Sequence, residues 1–245
     1  MLKQVIVGLA VSLIGIHVSA ASEFSECRQF FAQGQIPDLP RQSEWRTRAL
    51  CFSSFAVLHS GKSRTPVYVA EKLNRQTIKL AKDNERTNHF FADARLPRAD
   101  RAELDDYKGS GFDRGHMAPA GDMAGTEAMA QSFSLANMVP QAPVNNRKTW
   151  ASIEKGTRQY ISRAQGDVYV ITGPVYDARP ATVGPNKVWV PKYLFKLVYD
   201  PIAGRAWAHW IENSDTARAS KPISYQELVS KTGIRFFPRL GQIDI

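Results

Sequence analysis

Strand-like segments alternating with helical ones constrain the fold of this chain more than any other feature. The strand-like segments are rich in Val, Ile, Tyr, Phe and Trp and are bounded by Gly or Pro. They occupy residues 65–73, 166–176, 192–200 and 205–213. Helical segments are predicted at residues 126–133, 145–165 and 224–233. This interleaving favours an α+β or mixed sheet over a regular parallel βαβ series.

Residues 1–20 have the layout of a secretory signal peptide. An apolar run extends from Val5 to Ile16, and small residues lead to an expected cleavage after Ala20. An uncleaved membrane anchor is the alternative, although the run is short for a bilayer span. No internal repeat, low-complexity tract or long linker follows, so residues 21–245 are expected to form one domain. The leader predicts a periplasmic or extracellular protein with no stable membrane association after cleavage.

Two cysteines, Cys27 and Cys51, lie beyond the leader. In an oxidising compartment they are expected to pair, and such a disulfide stabilises a fold by about 2–4 kcal/mol. Two unpaired buried thiols are the alternative. With so few cysteines and no cluster of histidines nearby, a structural zinc site is not expected.

The chain is basic, with a net charge of +9, and the leader contributes only Lys3 to that excess. Basic secreted proteins often bind polyanions such as nucleic acid, anionic lipid or cell-wall polymers, although charge alone does not establish such a partner. The chain lacks the Gly-rich fingerprint of a dinucleotide site or a P-loop. Its absence disfavours a dehydrogenase or a nucleotide kinase.

His116 lies in "SGFDRGHMAP" at residues 110–119, a polar stretch rich in glycine. The adjacent Arg114 disfavours an imidazolium, so the ring is expected to be neutral and able to accept a proton. Flanking glycines would let a ligand approach the backbone closely. Three other histidines are interpreted as surface or hydrogen-bonded core residues: His59, His89 and His209. His17 belongs to the leader.

A second group of polar residues recurs at intervals of four in the helical segment 145–165: Asn146, Trp150, Glu154 and Arg158. Each step of four residues advances only about 40° around a helix, so these side chains share one stripe. A core-facing stripe would be apolar, whereas this one presents an amide, an acid and a base. The alternative is a solvated face with a weak ion pair between Glu154 and Arg158.

Three segments, "DYKGSGFDRGH", "NMVPQAPVNNRKTW" and "IEKGTR", closely resemble the DNA/RNA non-specific endonuclease family, which includes mitochondrial endonuclease G and secreted bacterial nucleases. The similarity extends from about Pro66 to Pro238. It implies a ββα-metal (His-Me finger) nuclease fold, with a mixed, largely antiparallel central sheet flanked by helices. It also implies metal-dependent cleavage of DNA and RNA without sequence preference.

The resemblance assigns roles to individual residues. His116 would be the general base, and Asn146 rather than Asn145 would bind the metal, because the family's Asn precedes a Trp by four residues. Glu154 would hold water bound to that metal. The expected cofactor is Mg²⁺, with Mn²⁺ as a substitute, because Mg²⁺ keeps most of its waters and needs few protein ligands.

Arginines are assigned to the phosphate. Arg158, together with Arg114, would contact it, and a further arginine is expected upstream of the motif, where Arg86 is preferred to Arg95. Two other side chains, Asp113 and Asn137, are expected to support the site. Asn137 would brace the hairpin that carries His116.

The substrates implied by the resemblance are DNA and RNA. Water is the nucleophile, so no ribose 2′-hydroxyl is needed, and the products would carry 5′-phosphate ends. A non-catalytic secreted nucleic-acid-binding protein explains the charge equally well, and another metal-dependent phosphoesterase is a third reading. A homodimer is an open alternative to a monomer.

Overall fold

The computed structural model describes residues 24–238, so the predicted leader lies outside the described residues. Within them, a six-stranded antiparallel sheet has the order β1-β2-β3-β6-β9-β10, and two antiparallel pairs, β4 with β5 and β7 with β8, lie beside it. The strands are β1 Thr47–Cys51, β2 Phe55–Ser60, β3 Thr65–Leu73, β4 Asp113–His116, β5 Met138–Gln141, β6 Val168–Val175, β7 Thr182–Val183, β8 Val188–Trp189, β9 Tyr193–Asp200 and β10 Arg205–Glu212. All four predicted strands are confirmed, as β3, β6, β9 and β10, whereas β1 and β2 were not predicted.

The α-helices are short and surround the sheet. They are α1 Arg75–Ala81, α2 Leu104–Tyr107, α3 Thr126–Ser132, α4 Ala151–Ile161 and α5 Tyr225–Thr232. The predicted helix 145–165 is present, but its beginning, Asn145–Trp150, is π-helical and leads directly into α4. At α5, Ser224 caps the N-terminus and Gly233 ends the helix in the left-handed conformation, as the sequence predicts. No helix within residues 24–238 is long and apolar enough to cross a membrane.

The central sheet is covered on both faces, and successive residues of a strand point to opposite faces. The face formed by Tyr68, Ala70, Phe195 and Leu197 is called the first face. The face formed by Val69, Glu71, Leu194 and Lys196 is called the second face.

The first face is covered by the two ends of the described chain. Phe24 and Phe31 from the N-terminal segment and Phe236 from the C-terminal segment all pack into its apolar core. A disulfide between Cys27 and Cys51 joins the N-terminal segment to β1, with the Cα atoms 5.6 Å apart. The expected cysteine pairing is therefore present in the structure.

The second face is covered by α3, by the β4–β5 pair and by the helix that follows it. Phe133, Trp150 and Ile153 pack there against residues of the sheet. In the β4–β5 pair, His116 lies opposite Met138, and Gly115 lies so close to Gln141 that a Cβ atom would be 2.0 Å from its Oε1 atom. Two antiparallel strands followed by a helix form a ββα unit, and this unit positions the candidate site.

Candidate active site

A cavity of about 560 Å³ opens at the ββα unit. Four basic side chains line it against two acidic ones, which makes it suited to a polyanion such as a nucleic-acid backbone. Its lining residues are Arg86, Phe90, Leu104, Asp105, Tyr107, Lys108, Phe112, Asp113, Arg114, Asn146 and Arg147.

His116 is almost buried, with 8% of its surface exposed. Its ring packs edge-on against Phe133, with the ring centroids 5.0 Å apart, and its Nε2 atom has no hydrogen-bond partner within the described part of the chain. Burial, and secondly the charge of Arg86, lower the pKa of His116 to about 3. From the sequence, Arg114 was expected to help keep this ring neutral; the charge that lowers the pKa of His116 is instead that of Arg86, and Arg114 stacks on Phe90 at 4.0 Å.

Asn137 connects the segment that follows His116 to the end of α3. Its Nδ2 atom donates to the carbonyls of Ala118 and Ser132, each at 2.9 Å, and its Oδ1 atom accepts from the amide of Ala118 at 2.8 Å. The side chain is completely buried, so these hydrogen bonds fix the backbone immediately beyond the histidine.

Asp113 and Asn146 contact each other at the cavity. The Asn146 Nδ2 atom donates to Asp113 at 2.9 Å, and Arg147 donates two hydrogen bonds to the same carboxylate at 2.6 and 2.8 Å. Burial alone would raise the pKa of Asp113, but these hydrogen bonds and the charge of Arg147 hold it below its usual value. An ionised carboxylate accepts only, so Asp113 fixes the orientation of the Asn146 amide and leaves its Oδ1 atom available.

The neighbouring Asn145 has a different environment. It is completely buried, accepts a hydrogen bond from Gln141 at 2.8 Å and donates one to the carbonyl of Glu212 at 3.0 Å. The two adjacent side-chain amides thus differ in burial, and of the two only Asn146 lines the cavity.

Glu154 and Arg158 follow on α4, but they do not form the ion pair considered from the sequence. Arg158 instead donates from Nη1 to Asp122 at 2.8 Å. Burial raises the pKa of Glu154 to about 7, and the charge of Lys196 opposes this shift. His116, Glu154 and Arg158 are not among the residues that line the cavity, yet Arg86, which does, lowers the pKa of both His116 and Glu154.

The two candidate upstream arginines lie in different places. Arg86 lines the cavity, with its guanidinium 5.1 Å from the centre of the Phe133 ring. Arg95 pairs with Asp93 at 2.7 Å and donates to the carbonyl of Cys51 at 2.8 Å. The geometry therefore favours Arg86 as the arginine that meets a ligand in the cavity.

Three buried charged residues beside the site were missed from the sequence. Asp122 lies in the 3₁₀ turn Ala120–Asp122, Glu71 on β3 and Lys196 on β9. For Glu71 and Lys196, the available signal in the sequence was a charged residue within an otherwise apolar strand. Asp122 had no such signal.

A bound metal would depend on few protein atoms. Within residues 24–238, no three His, Cys, Asp or Glu side chains are grouped so that they could hold a metal ion. The available donor is the amide oxygen of Asn146, beside the carboxylate of Asp113. Oxygen donors of this kind, completed by water, fit a hard divalent cation such as Mg²⁺.

Comparison with known proteins places this geometry in a family. A family model for DNA/RNA non-specific endonucleases matches residues 40–242. The mitochondrial nuclease EXOG of Xenopus laevis is 32% identical over 218 residues, covering 80% of this chain and 60% of the relative. Mitochondrial endonuclease G of Bos taurus is 32% identical over 177 residues, covering 68% of this chain and 57% of the relative. The chain thus spans about three fifths of the length of these curated relatives.

A solved structure of an EndoG/EndoGI complex has the same architecture, with a TM-score of 0.73 and 25% sequence identity. The match covers 79% of this chain and 87% of the other. It confirms the predicted α+β fold, although the central sheet is antiparallel throughout. The family match also begins earlier than the motifs indicated, at residue 40 rather than near Pro66. The chain belongs to the DNA/RNA non-specific endonuclease family and has its ββα-metal nuclease fold.

Proposed function

We propose that the protein is a Mg²⁺-dependent endonuclease that hydrolyses phosphodiester bonds of DNA and RNA without sequence preference. The observation that carries this proposal is the ββα unit: the amide of Asn146, oriented by Asp113, lines a basic cavity, and the buried His116 on β4 packs against Phe90, another lining residue, with ring centroids 5.9 Å apart. Membership of the family supports the class of reaction.

His116 acts as the general base and takes a proton from the attacking water. Its ring is neutral, and its Nε2 atom forms no hydrogen bond to the described residues. Burial is the larger cause of the pKa of about 3, and the uncompensated charge of Arg86 is the smaller one. A phosphate in the cavity offsets that positive charge, so the pKa of His116 rises towards the working pH, where a base is most effective.

Asn146 would hold the metal through Oδ1, because Asp113 fixes the orientation of its amide. When bound there, a divalent cation stabilises the negative charge that develops on the phosphate. Glu154, whose pKa of about 7 leaves it partly ionised at neutral pH, accepts hydrogen bonds from nearby water and orients it.

Arg86 and Arg114 line the cavity and contact the phosphate of the substrate. Arg158 contributes a further contact from α4. Contacts to phosphate position a strand without reading its bases, so the proposed cleavage has little sequence preference. Since water is the nucleophile, RNA and DNA are both substrates and the products carry 5′-phosphate ends.

We also propose that the mature protein works in the periplasm or outside the cell. The disulfide between Cys27 and Cys51 supports this, because such bonds persist in oxidising compartments.

The test is cleavage of supercoiled plasmid and of single-stranded RNA by the purified mature protein. Four samples are compared: wild type with Mg²⁺, wild type with EDTA, His116→Ala with Mg²⁺, and the matched control His89→Ala, which changes an exposed histidine outside the cavity lining. We expect rapid cleavage in the first and last only, with His116→Ala slower by about 10²–10⁴-fold. Intact plasmid in all four, with a retained gel shift, would instead identify a non-catalytic binder.

A further inference from the structure

Arg158 is held at one end of its guanidinium by a buried carboxylate. Nη1 donates to Asp122 Oδ1 at 2.8 Å, and the Asp122 side chain is only 4% exposed. Within residues 24–238, the side chain of Arg158 forms no other hydrogen bond, so its remaining N–H groups are free to meet a ligand. One fixed end and one free end is the arrangement expected of an arginine prepared for an anion.

The backbone beside Asp122 is shaped to receive the same guanidinium. A Cβ atom on Gly121 would lie 3.2 Å from Nη1 and 3.3 Å from Cζ of Arg158, closer than a side chain normally permits. Glycine at this position therefore allows the guanidinium to lie directly against the 3₁₀ turn Ala120–Asp122. Neighbouring hydrogen bonds hold the turn, including one from Asn84 to the carbonyl of Met123 at 2.9 Å.

The turn also connects the two halves of the proposed catalytic site. It begins four residues after His116, whereas Arg158 lies on α4, the helix that carries Glu154. The hydrogen bond between Asp122 and Arg158 thus joins the loop following the general base to the helix of the ββα unit.

Other ionisable side chains face this pair from the neighbouring strands and from α4. Glu71 on β3 and Glu154 on α4 act on Arg158 together with Asp122, and Lys196 on β9 acts on both glutamates. Asp122 is thus the carboxylate that pairs with Arg158, while the charges of Lys196 and Arg86 act on Glu154. Loss of the pair would leave the arginine free to turn towards Glu154 and away from a ligand.

We propose that Asp122 is a positioning residue for Arg158, holding its guanidinium so that the free N–H groups contact a substrate phosphate. This inference rests on the proposed function, because it assigns the arginine a ligand of that reaction. Asp122 itself does not touch the substrate.

The test compares Asp122→Asn with Asp93→Asn, a matched control. Asp93 is also buried and pairs with an arginine, Arg95, at 2.7 Å, but the guanidinium of Arg95 is bound a second time, by the carbonyl of Cys51 at 2.8 Å. We expect Asp122→Asn to lower kcat/KM by about 10–100-fold, and Asp93→Asn to leave it unchanged in folded protein. In a double-mutant cycle, Asp122→Asn should cost nothing further once Arg158→Ala is present, because the two residues act as one unit.

Equal kcat/KM for the two asparagine variants, or additive effects of Asp122→Asn and Arg158→Ala, would overturn the proposal. If Asp122→Asn fails to fold, Gly121→Ala shifts the guanidinium by a few tenths of an ångström without altering charge, and it should lower kcat/KM to a smaller extent with the same non-additivity. If wild-type protein does not cleave, the proposed function fails, and the cycle is repeated on affinity for a short DNA duplex in EDTA. Coupling there supports the positioning role, and its absence, or a lack of DNA binding, overturns it.

Discussion

The two faces of the central sheet are built from alternating residues of the same strands, yet their interiors differ in kind. On β9, Phe195 and Leu197 point to the first face and Leu194 and Lys196 to the second. The first face is filled with apolar side chains and covered by the disulfide-linked N-terminal segment. The second carries buried charges beneath the ββα unit.

This difference indicates a division between the faces of the sheet: the first face provides stability, and the second face carries the charged groups beside the candidate site. Burial of apolar surface contributes about 25 cal/mol per Å² to stability. Among the described residues, the first face obtains this contribution without burying a charged side chain. Glu71 on the second face is completely buried with both carboxylate oxygens unpaired among the described residues, an arrangement that costs stability. Loss of apolar contacts on the first face should therefore lower stability and leave activity unchanged, whereas changes to the charged residues of the second face should alter activity or raise stability.

The largest expected effect is on the first face. The Phe195 ring packs against Phe236, with centroids 5.4 Å apart, and it lies against Gly173, where a Cβ atom would be 2.7 Å from its Cζ atom. Phe195→Ala should lower the free energy of unfolding by about 3–5 kcal/mol, because the rigid surroundings cannot close the cavity. Urea unfolding measures this loss, and nuclease activity per folded molecule should remain that of wild type. Loss of activity in fully folded Phe195→Ala protein would contradict the division between the faces.

The disulfide should have the next largest effect. Replacing Cys27 and Cys51 together by Ser should lower the free energy of unfolding by about 2–4 kcal/mol, because the unfolded chain regains the freedom of a closed loop. Thermal unfolding with and without dithiothreitol gives the measurement. Reductant should bring wild type to the stability of the double variant and leave the variant unchanged; an effect of reductant on the variant would show another cause.

On the second face, Glu71→Gln should raise stability by about 1–3 kcal/mol at neutral pH. Burial raises the pKa of Glu71 well above its usual value of 4.5, and the charge of Asp122 adds to this shift. Below pH 4.5 the Glu71 carboxyl is protonated in both the folded and the unfolded chain. Wild type and Glu71→Gln should therefore have similar free energies of unfolding there. As the pH rises above 4.5, the unfolded wild type ionises more readily than the folded one, and its stability falls.

Urea unfolding at pH 4 and pH 7.5 would test this dependence, with Glu26→Gln, an exposed carboxyl, as the control. A stability gain for Glu71→Gln that is the same at both pH values would refute the assigned ionisation.

The sequence predicted the strands of this fold better than the contacts between them. β3, β6, β9 and β10 are long runs of β-branched and aromatic residues, which report local preference directly. β1 and β2 lie before the motifs that were recognised, and they were missed. The alternation of two covered faces along β9 could not be read from the sequence, because a strand buried on both sides has no polar side to mark it.

The candidate site shows the same limit. His116 and Asn146 were identified because they belong to short motifs, and the structure brings both to one ββα unit. The contact between Asp122 and Arg158 joins residues 36 apart in sequence, so it depends on how the loop and helix pack. The buried state of Glu71 and Lys196 likewise depends on which elements cover the second face.

The smallest expected effect concerns Lys196, the neighbour of Phe195 that points to the opposite face. Its ammonium donates to Thr172 at 2.7 Å and lies 5.4 Å from the centre of the Trp150 ring, and its charge lowers the pKa of Glu154, which burial raises to about 7. Lys196→Met should therefore shift the acid limb of the pH–activity profile upward by about one pH unit, since Glu154 must lose its proton to orient water. Phe195→Leu, one residue away on the first face, should leave that limb in place. An identical acid limb in Lys196→Met and wild type would mean that Glu154 is not the group that titrates, and the electrostatic role given to the second face would then have to rest on Asp122 and Arg158 alone.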